Sequence, residues 1–349
     1  MYRLVQMSKK IIKFDIKKIS INISKLFIVI GLFSLIYSTL NADSLKIYSE
    51  RQPFLIEPLI KAYEKANNIK VEWIFSKKGL VQKAIIEKNQ PIADIFLSSD
   101  IARLMQISSA GASIEIPKVI SIPDYLQSNH WVALTQRARI IYVAKHKNIT
   151  SIDYEDLAED NYKGKVCMRS GFHPYNISLF SSLMENYDEL WLKDYLIKLK
   201  SNLARKPQGN DRDQVKAIAA GICDVAYANH YYYFKMLDNK DQKKWLEKVD
   251  PLFPNQNKEG THINISGISL INDKTKEKAL HFLNFLVSED AQSIYATDNY
   301  EFPANPDVKP DEKVSLLRGN AKFDNTSLID IAANRKVVVD ILNQINFDG

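Results

Sequence analysis

Apolar positions in the first half of the chain alternate between two spacings. "SLKIYSE", "IKVEWIFS" and "ADIFLSSD" are short apolar runs of strand length. The segments that follow them, residues 55–67, 80–89 and 101–111, repeat apolar side chains at helical spacing, as at Leu55, Leu59, Ala62 and Ala66, and the last closes on Gly111. Strands and helices in strict alternation predict a mostly parallel sheet with helices on both faces. The theme returns further on. "GKVCMRSG" and "CDVAYAN" read as strands; "NISLFSSLMENY", "DELWLKDYLIKLKSN" and "RDQVKAIAAG" read as helices. "KEKALHFLNFLVSEDAQSIYA" and "SLIDIAANRKVVVDILNQI" make a helical tail.

Two longer extended stretches, near 131–145 and 262–272, flank the middle block. They predict two crossings between two α/β lobes. The expected boundaries are residues 43–138 and 265–349 for a discontinuous first lobe and 139–264 for the second. Two such lobes enclose a cleft, and ligands of α/β sheets sit at the carboxyl ends of strands.

Charge changes one part of this picture. The net charge of +6 is concentrated in residues 1–42, which hold seven Lys or Arg against one Asp; the remainder is balanced. A neutral body gives no electrostatic case for nucleic-acid binding. The basic stretch precedes the apolar run Leu26–Leu40 and the small-residue end "LNA", the pattern of an export signal cleaved after Ala42. A periplasmic location is therefore expected, with an uncleaved anchor as the alternative. The two cysteines, Cys167 and Cys223, are either a disulfide or two separate buried thiols.

The usual signatures of enzymes are missing: there is no phosphate-binding glycine loop, no zinc motif and no Gly-x-Ser-x-Gly elbow. A binding protein is expected rather than an enzyme. The polar residues that stand out lie at strand ends: "IYSERQPF", "SSD", "RSGFHPYN" and "NHYYY". They assemble phenols, guanidinium groups and amides. Phenolates are hard anionic donors, and only a strongly charged metal ion makes several of them reasonable at neutral pH. Fe³⁺ meets that requirement, since three phenolates would balance its charge. In a helix, successive residues diverge by about 100°, so at most two of Tyr231, Tyr232 and Tyr233 can face one ligand. The competing reading is that these rings pack a lobe edge. Arg51, and Arg137 or Arg139 on one face of the long strand, would suit a small anion. His173 and His230 read as capping or surface residues, and Asp100 as the N-cap of the following helix.

"IYSERQPFLIEPLIKAYEK", "RSGFHPYNISL", "NLARKPQGNDRDQVKAIAAGICDVAYANHYYYFKML", "FPNQNKEGTHINISGISL" and "NYEFPANPDVKP" resemble, in this order, the periplasmic ferric-iron-binding proteins of bacterial ABC importers. That resemblance implies an α/β, two-lobed type II periplasmic-binding-protein fold with two crossing strands as hinge. It implies Tyr175, Tyr231 and Tyr232 as iron ligands and Tyr233 as a packing ring. Some relatives carry His-Tyr after the first strand where this chain has Gln52-Pro53, so carbonate or water is expected to complete the coordination shell. Arg51, Gln52 and Arg137 are the candidates for holding that anion. The resemblance also implies a Cys167–Cys223 disulfide, a monomer, and delivery of Fe³⁺ to an inner-membrane permease. An organic ligand or oxyanion in the same cleft is the alternative.

Overall fold

The computed structural model describes residues 44–349, so the expected export signal lies outside the described residues. Strand β1 (Leu45–Ser49) is nearly all buried and pairs in parallel with β2 (Val71–Phe75) and β3 (Ile95–Ser98). Between β1 and β2 runs helix α1 (Pro53–Asn67), whose opening proline supplies the helical φ where no N–H is needed. Helix α2 (Leu80–Ile86) leads from β2 to β3. Asp100 then caps α3 (Ile101–Ser109), its carboxylate accepting the Ala102 N–H at 3.2 Å.

The organising element is β4 (Val132–Ala144), a single strand that serves two sheets. Its first half pairs antiparallel with β8 (Ile263–Leu270), from Val132↔Ile268 to Ala138↔Ile263. Its second half pairs with β6 (Val225–Asn229), from Arg139↔Asn229 to Val143↔Val225, and with β7 (Val249–Leu252). Beyond β6 lies β5 (Val166–Cys167), parallel to it, so the strand order is β2-β1-β3-β8-β4-β6-β5. The two expected crossings are thus β4 and β8, and they are hydrogen-bonded to each other.

The second sheet is buried on both faces, which is why "ARIIYVA" reads as a continuous apolar run. Ile140 and Tyr142 point into a core with Cys167, Val215 and Tyr231; Ile141 and Val143 point into another with Val166, Phe180 and Tyr227. The flanking helices are α4 (Pro174–Asn186), α5 (Glu189–Ser201), α6 (Asp211–Ala219), α7 (Tyr231–Leu237) and the short α8 (Lys243–Leu246). Cys167 and Cys223 are joined, with Cα atoms 5.8 Å apart.

The expected helical tail is more segmented than its pattern. It divides into α9 (Lys276–Val287) and α10 (Glu289–Thr297) at Ser288, whose hydroxyl accepts from the Ala291 N–H and starts the second helix. After β9 (Phe302–Pro303), which pairs with β4, come α11 (Glu312–Arg318) and α12 (Leu328–Gln344). Helix α12 packs between α3 and α4. Val338, Ile341 and Leu342 belong to the core that contains β5 and α4, although residues up to 349 were expected to follow the first lobe.

Candidate metal centre

The candidate tyrosines sit where two strands give way to helices. The chain leaves β6 at Asn229, and His230 precedes α7, which places Tyr231 and Tyr232 in the first helical turn. His230 is fixed from three sides. Its Nδ1 accepts the Ala138 N–H at 3.1 Å, its Nε2–H donates to the Tyr300 carbonyl at 2.9 Å, and its ring stacks on Phe302 at 4.4 Å. Burial lowers its pKa to about 3, so the ring stays neutral and both nitrogens are committed to supporting the turn.

Tyr175 stands in the first turn of α4, at the end of the loop that leaves β5. His173 caps α4 by accepting the Tyr175 N–H at 3.2 Å, and Pro174 occupies the first turn. The loop is anchored from a distant part of the chain. The Ser170 hydroxyl donates to the Asp348 carboxylate, and the Gly171 N–H donates to its other oxygen at 2.8 Å. A Cβ on Gly171 would lie 2.6 Å from the Phe347 ring, so this close approach requires glycine.

These supports bring the phenols together. The Tyr175 and Tyr231 hydroxyls are 3.5 Å apart, and the Tyr231 and Tyr232 rings lie 4.3 Å apart, centroid to centroid. All are buried. Burial, reinforced by nearby Tyr175, pushes the Tyr231 and Tyr232 hydroxyls above the usual phenol range. Tyr233 turns away and meets Phe234 edge-on at 5.4 Å.

Three guanidinium groups surround the Tyr175 ring: Arg137 at 5.2 Å, Arg169 at 5.4 Å and Arg139 at 5.9 Å from its centroid. Arg137 and Arg139 share a face of β4 but differ in their partners. Arg139 donates to Asp211 at 2.7 Å, to Asn229 at 3.0 Å and to Asn176 at 2.7 Å. Asp211 also accepts from Arg169 and from the Asn229 N–H, both at 3.0 Å. Burial alone would raise the Asp211 pKa; Arg139 and Arg169 outweigh it and hold the pKa down at about 2. Arg137 donates to the carbonyls of Ser99 and Ile265, while its Nε finds no hydrogen-bond acceptor among the described residues.

Arg51, at the end of β1, is 1% exposed. Its Nη2 donates to Glu301 at 2.8 Å, and its Nε and Nη1 meet no acceptor among the described residues. Burial disfavours the Arg51 charge, but Glu301 outweighs that penalty, and Tyr175 is near enough to contribute. Gln52 is half-buried at the start of α1, with no side-chain capping bond. Among the described residues no group of three or more His, Cys, Asp or Glu could hold a metal ion, which leaves the phenols as the clustered hard donors.

The carboxylates that hold the arginines do not stand out in the sequence as the phenols and arginines do. Glu301 stands inside the quoted "NYEFPAN", and Asp211 inside "GNDRDQ", but a carboxylate's remote partner leaves no local signal. Asp348 likewise gives no local signal.

Comparison with known proteins bears on this arrangement. A family model described as bacterial extracellular solute-binding protein matches residues 90–323. The chain is 34% identical over 317 residues to Iron uptake protein A1 of Synechocystis, covering 86% of this chain and 87% of the relative. The apo ferric ion-binding protein A of Pasteurella haemolytica superposes with a TM-score of 0.84 at 42% identity, covering 88% of this chain and 99% of that one. A Trichodesmium protein solved with iron and citrate superposes with a TM-score of 0.79 at 32% identity, covering 87% and 99%. The chain therefore belongs to the bacterial extracellular solute-binding proteins, a family of binders rather than enzymes, and has the two-lobed fold of the ferric-ion-binding proteins its motifs resemble.

Proposed function

We propose that this protein captures Fe³⁺ in the periplasm through Tyr175, Tyr231 and Tyr232 and hands it to an ABC permease in the inner membrane. The observation that carries the reading is the convergence of buried phenols, with the Tyr175 and Tyr231 hydroxyls 3.5 Å apart and the Tyr232 ring against Tyr231. Neutral phenols crowded away from water gain little from one another. A trivalent cation that displaces their protons turns the same crowding into a charge-balanced site. The likeness to ferric-ion-binding proteins supports this choice of metal.

A small anion such as carbonate would complete the shell from the arginine side, with Arg51, Gln52 and Arg137 as its holders. The unpartnered Arg51 Nε and Nη1 favour that assignment. Closure of the lobes about β4 and β8 would bring the two sides onto the ion, selecting the liganded form.

The test is visible absorption of the purified protein after addition of ferric citrate, beside Tyr231→Phe and Tyr175→Phe. The expected result is a broad phenolate-to-iron charge-transfer band that weakens in both variants. A colourless protein in neutral, carbonate-containing buffer would overturn the reading. The clustering of Arg137, Arg139 and Arg169 round Tyr175 would then favour an organic anion or oxyanion in the same cleft.

A further inference from the structure

Glu301 is a wholly buried carboxylate that faces two arginines of the cleft. Its Oε2 accepts from Arg51 at 2.8 Å, and its Oε1 lies 3.9 Å from the Arg137 Nε. That Oε1 makes no hydrogen bond among the described residues, and neither do the Arg51 Nε and Nη1 or the Arg137 Nε. Buried polar atoms are nearly always paired. Here four unpaired atoms gather around one ion pair.

The backbone fixes Glu301 in this position at a cost. Tyr300, the residue before it, has φ +58°, a left-handed conformation that bulky residues rarely adopt. Several contacts hold it there. The Tyr300 hydroxyl donates to Asp238 at 2.7 Å, and the Tyr300 carbonyl accepts from His230, which supports the Tyr231 turn. Asn299 donates to the Leu55 carbonyl at 2.9 Å, and Phe302 pairs with Gln136 of β4. The strained segment thus links the phenol turn to the arginine pair and carries the carboxylate between them.

We propose that Glu301 determines which anion binds beside the metal, by cancelling one of the two guanidinium charges that Arg51 and Arg137 offer. This rests on the ferric reading above. With Glu301 present the pair offers one net positive charge, and one edge of Arg51 is already taken. Nη2, which both bidentate edges of the guanidinium share, is bonded to Glu301, so the free Nε–H and Nη1–H point apart and each offers a single charge-assisted bond, which suits a small oxyanion. A larger or more highly charged anion meets the carboxylate's repulsion at short range, where the surrounding protein screens it poorly.

Glu301→Gln keeps the shape and removes the charge. The band from bound iron would be titrated with bicarbonate, phosphate and citrate in turn, at one pH and one iron concentration. In the variant the half-saturating concentrations of citrate and phosphate should fall by about tenfold relative to that of bicarbonate. Unchanged ratios among the three anions would overturn the proposal. Glu301→Asp provides the second arm, because it keeps the charge and shortens the reach. Wild-type ranking in that variant supports a charge effect, whereas the same reordering as in Glu301→Gln refutes it. If no band forms in any protein, the ferric reading fails by itself. Calorimetric titration of the iron-free proteins with the same three anions then still decides the role of Glu301 by the same ratios.

Discussion

Arg139 and Arg51 are both buried guanidinium groups near the same tyrosine, and they are treated in opposite ways. Arg139 is the better satisfied of the two: Asp211, Asn229 and Asn176 each accept one bond from its two Nη groups, Asp211 is itself shared with Arg169, and among the described residues only its Nε meets no acceptor. Arg51 has one partner, Glu301, and two unsatisfied nitrogens. Burying a charge is costly unless hydrogen bonds replace water. An arginine whose two Nη groups are both engaged has largely met that condition within the fold, so its role is to hold the second lobe's site residues in place. A half-saturated one keeps donors free for something that arrives from outside. Composition or exposure would rank the two alike; the count of free donors separates them.

The largest effect should come from Arg139→Lys. An ammonium cannot reproduce the planar fork, and the variant should lose about 3 kcal/mol in urea denaturation. A loss equal to that of Arg51→Lys would break the comparison. Next is the acid limb of stability. The Asp211 pKa is held below its usual value, so its contribution is complete above about pH 4 and is lost as pH falls toward 2. Asp211→Asn should therefore remove about 2 kcal/mol of pH-dependent stability over that window, read from denaturation midpoints at successive pH values. Arg51→Lys should cost only about 1 kcal/mol, since a lysine can retain a single bond to Glu301. The same variant should need about tenfold more bicarbonate for the iron band, because the two free N–H groups are gone. Stability loss without that change would assign Arg51 to the fold alone. Tyr233→Phe should be the mildest, within about 0.5 kcal/mol and with an unaltered band, because its ring packs on Phe234 away from the other phenols.

Local features of the site were legible in the sequence and remote ones were not. The phenol cluster could be proposed because "NHYYY" and "HPYN" each follow a strand, and strand ends converge in an α/β fold. Asp100 as a cap followed from neighbouring residues, whereas helix geometry said only that one of the three tyrosines must turn away, and the family resemblance pointed to Tyr233. Glu301 could not be paired with Arg51 from the chain, since 250 positions separate them. The same holds for Asp348, which reaches back to Ser170 and Gly171. Strands β7 and β9 contain prolines in "VDPL" and "FP", which argue locally against a strand and are tolerated at the margin of β4. The helix break at Ser288 was visible as a serine followed by two acids, a starting signal hidden inside an apolar repeat.

The sharing of β4 between two sheets has a consequence for how the chain is made. Its register changes partner between Ala138, opposite Ile263, and Arg139, opposite Asn229. Neither sheet is complete until residues far along the chain have arrived, β6 for one and β8 for the other. A nascent chain that has produced only the first α/β block therefore carries unpaired strand edges, at β3 and along β4, until more than a hundred further residues emerge. Assembly is expected to be slow and late, as for other topologies that rely on distant pairing. In an exported protein that delay leaves the chain open long enough to cross a membrane before its core can form.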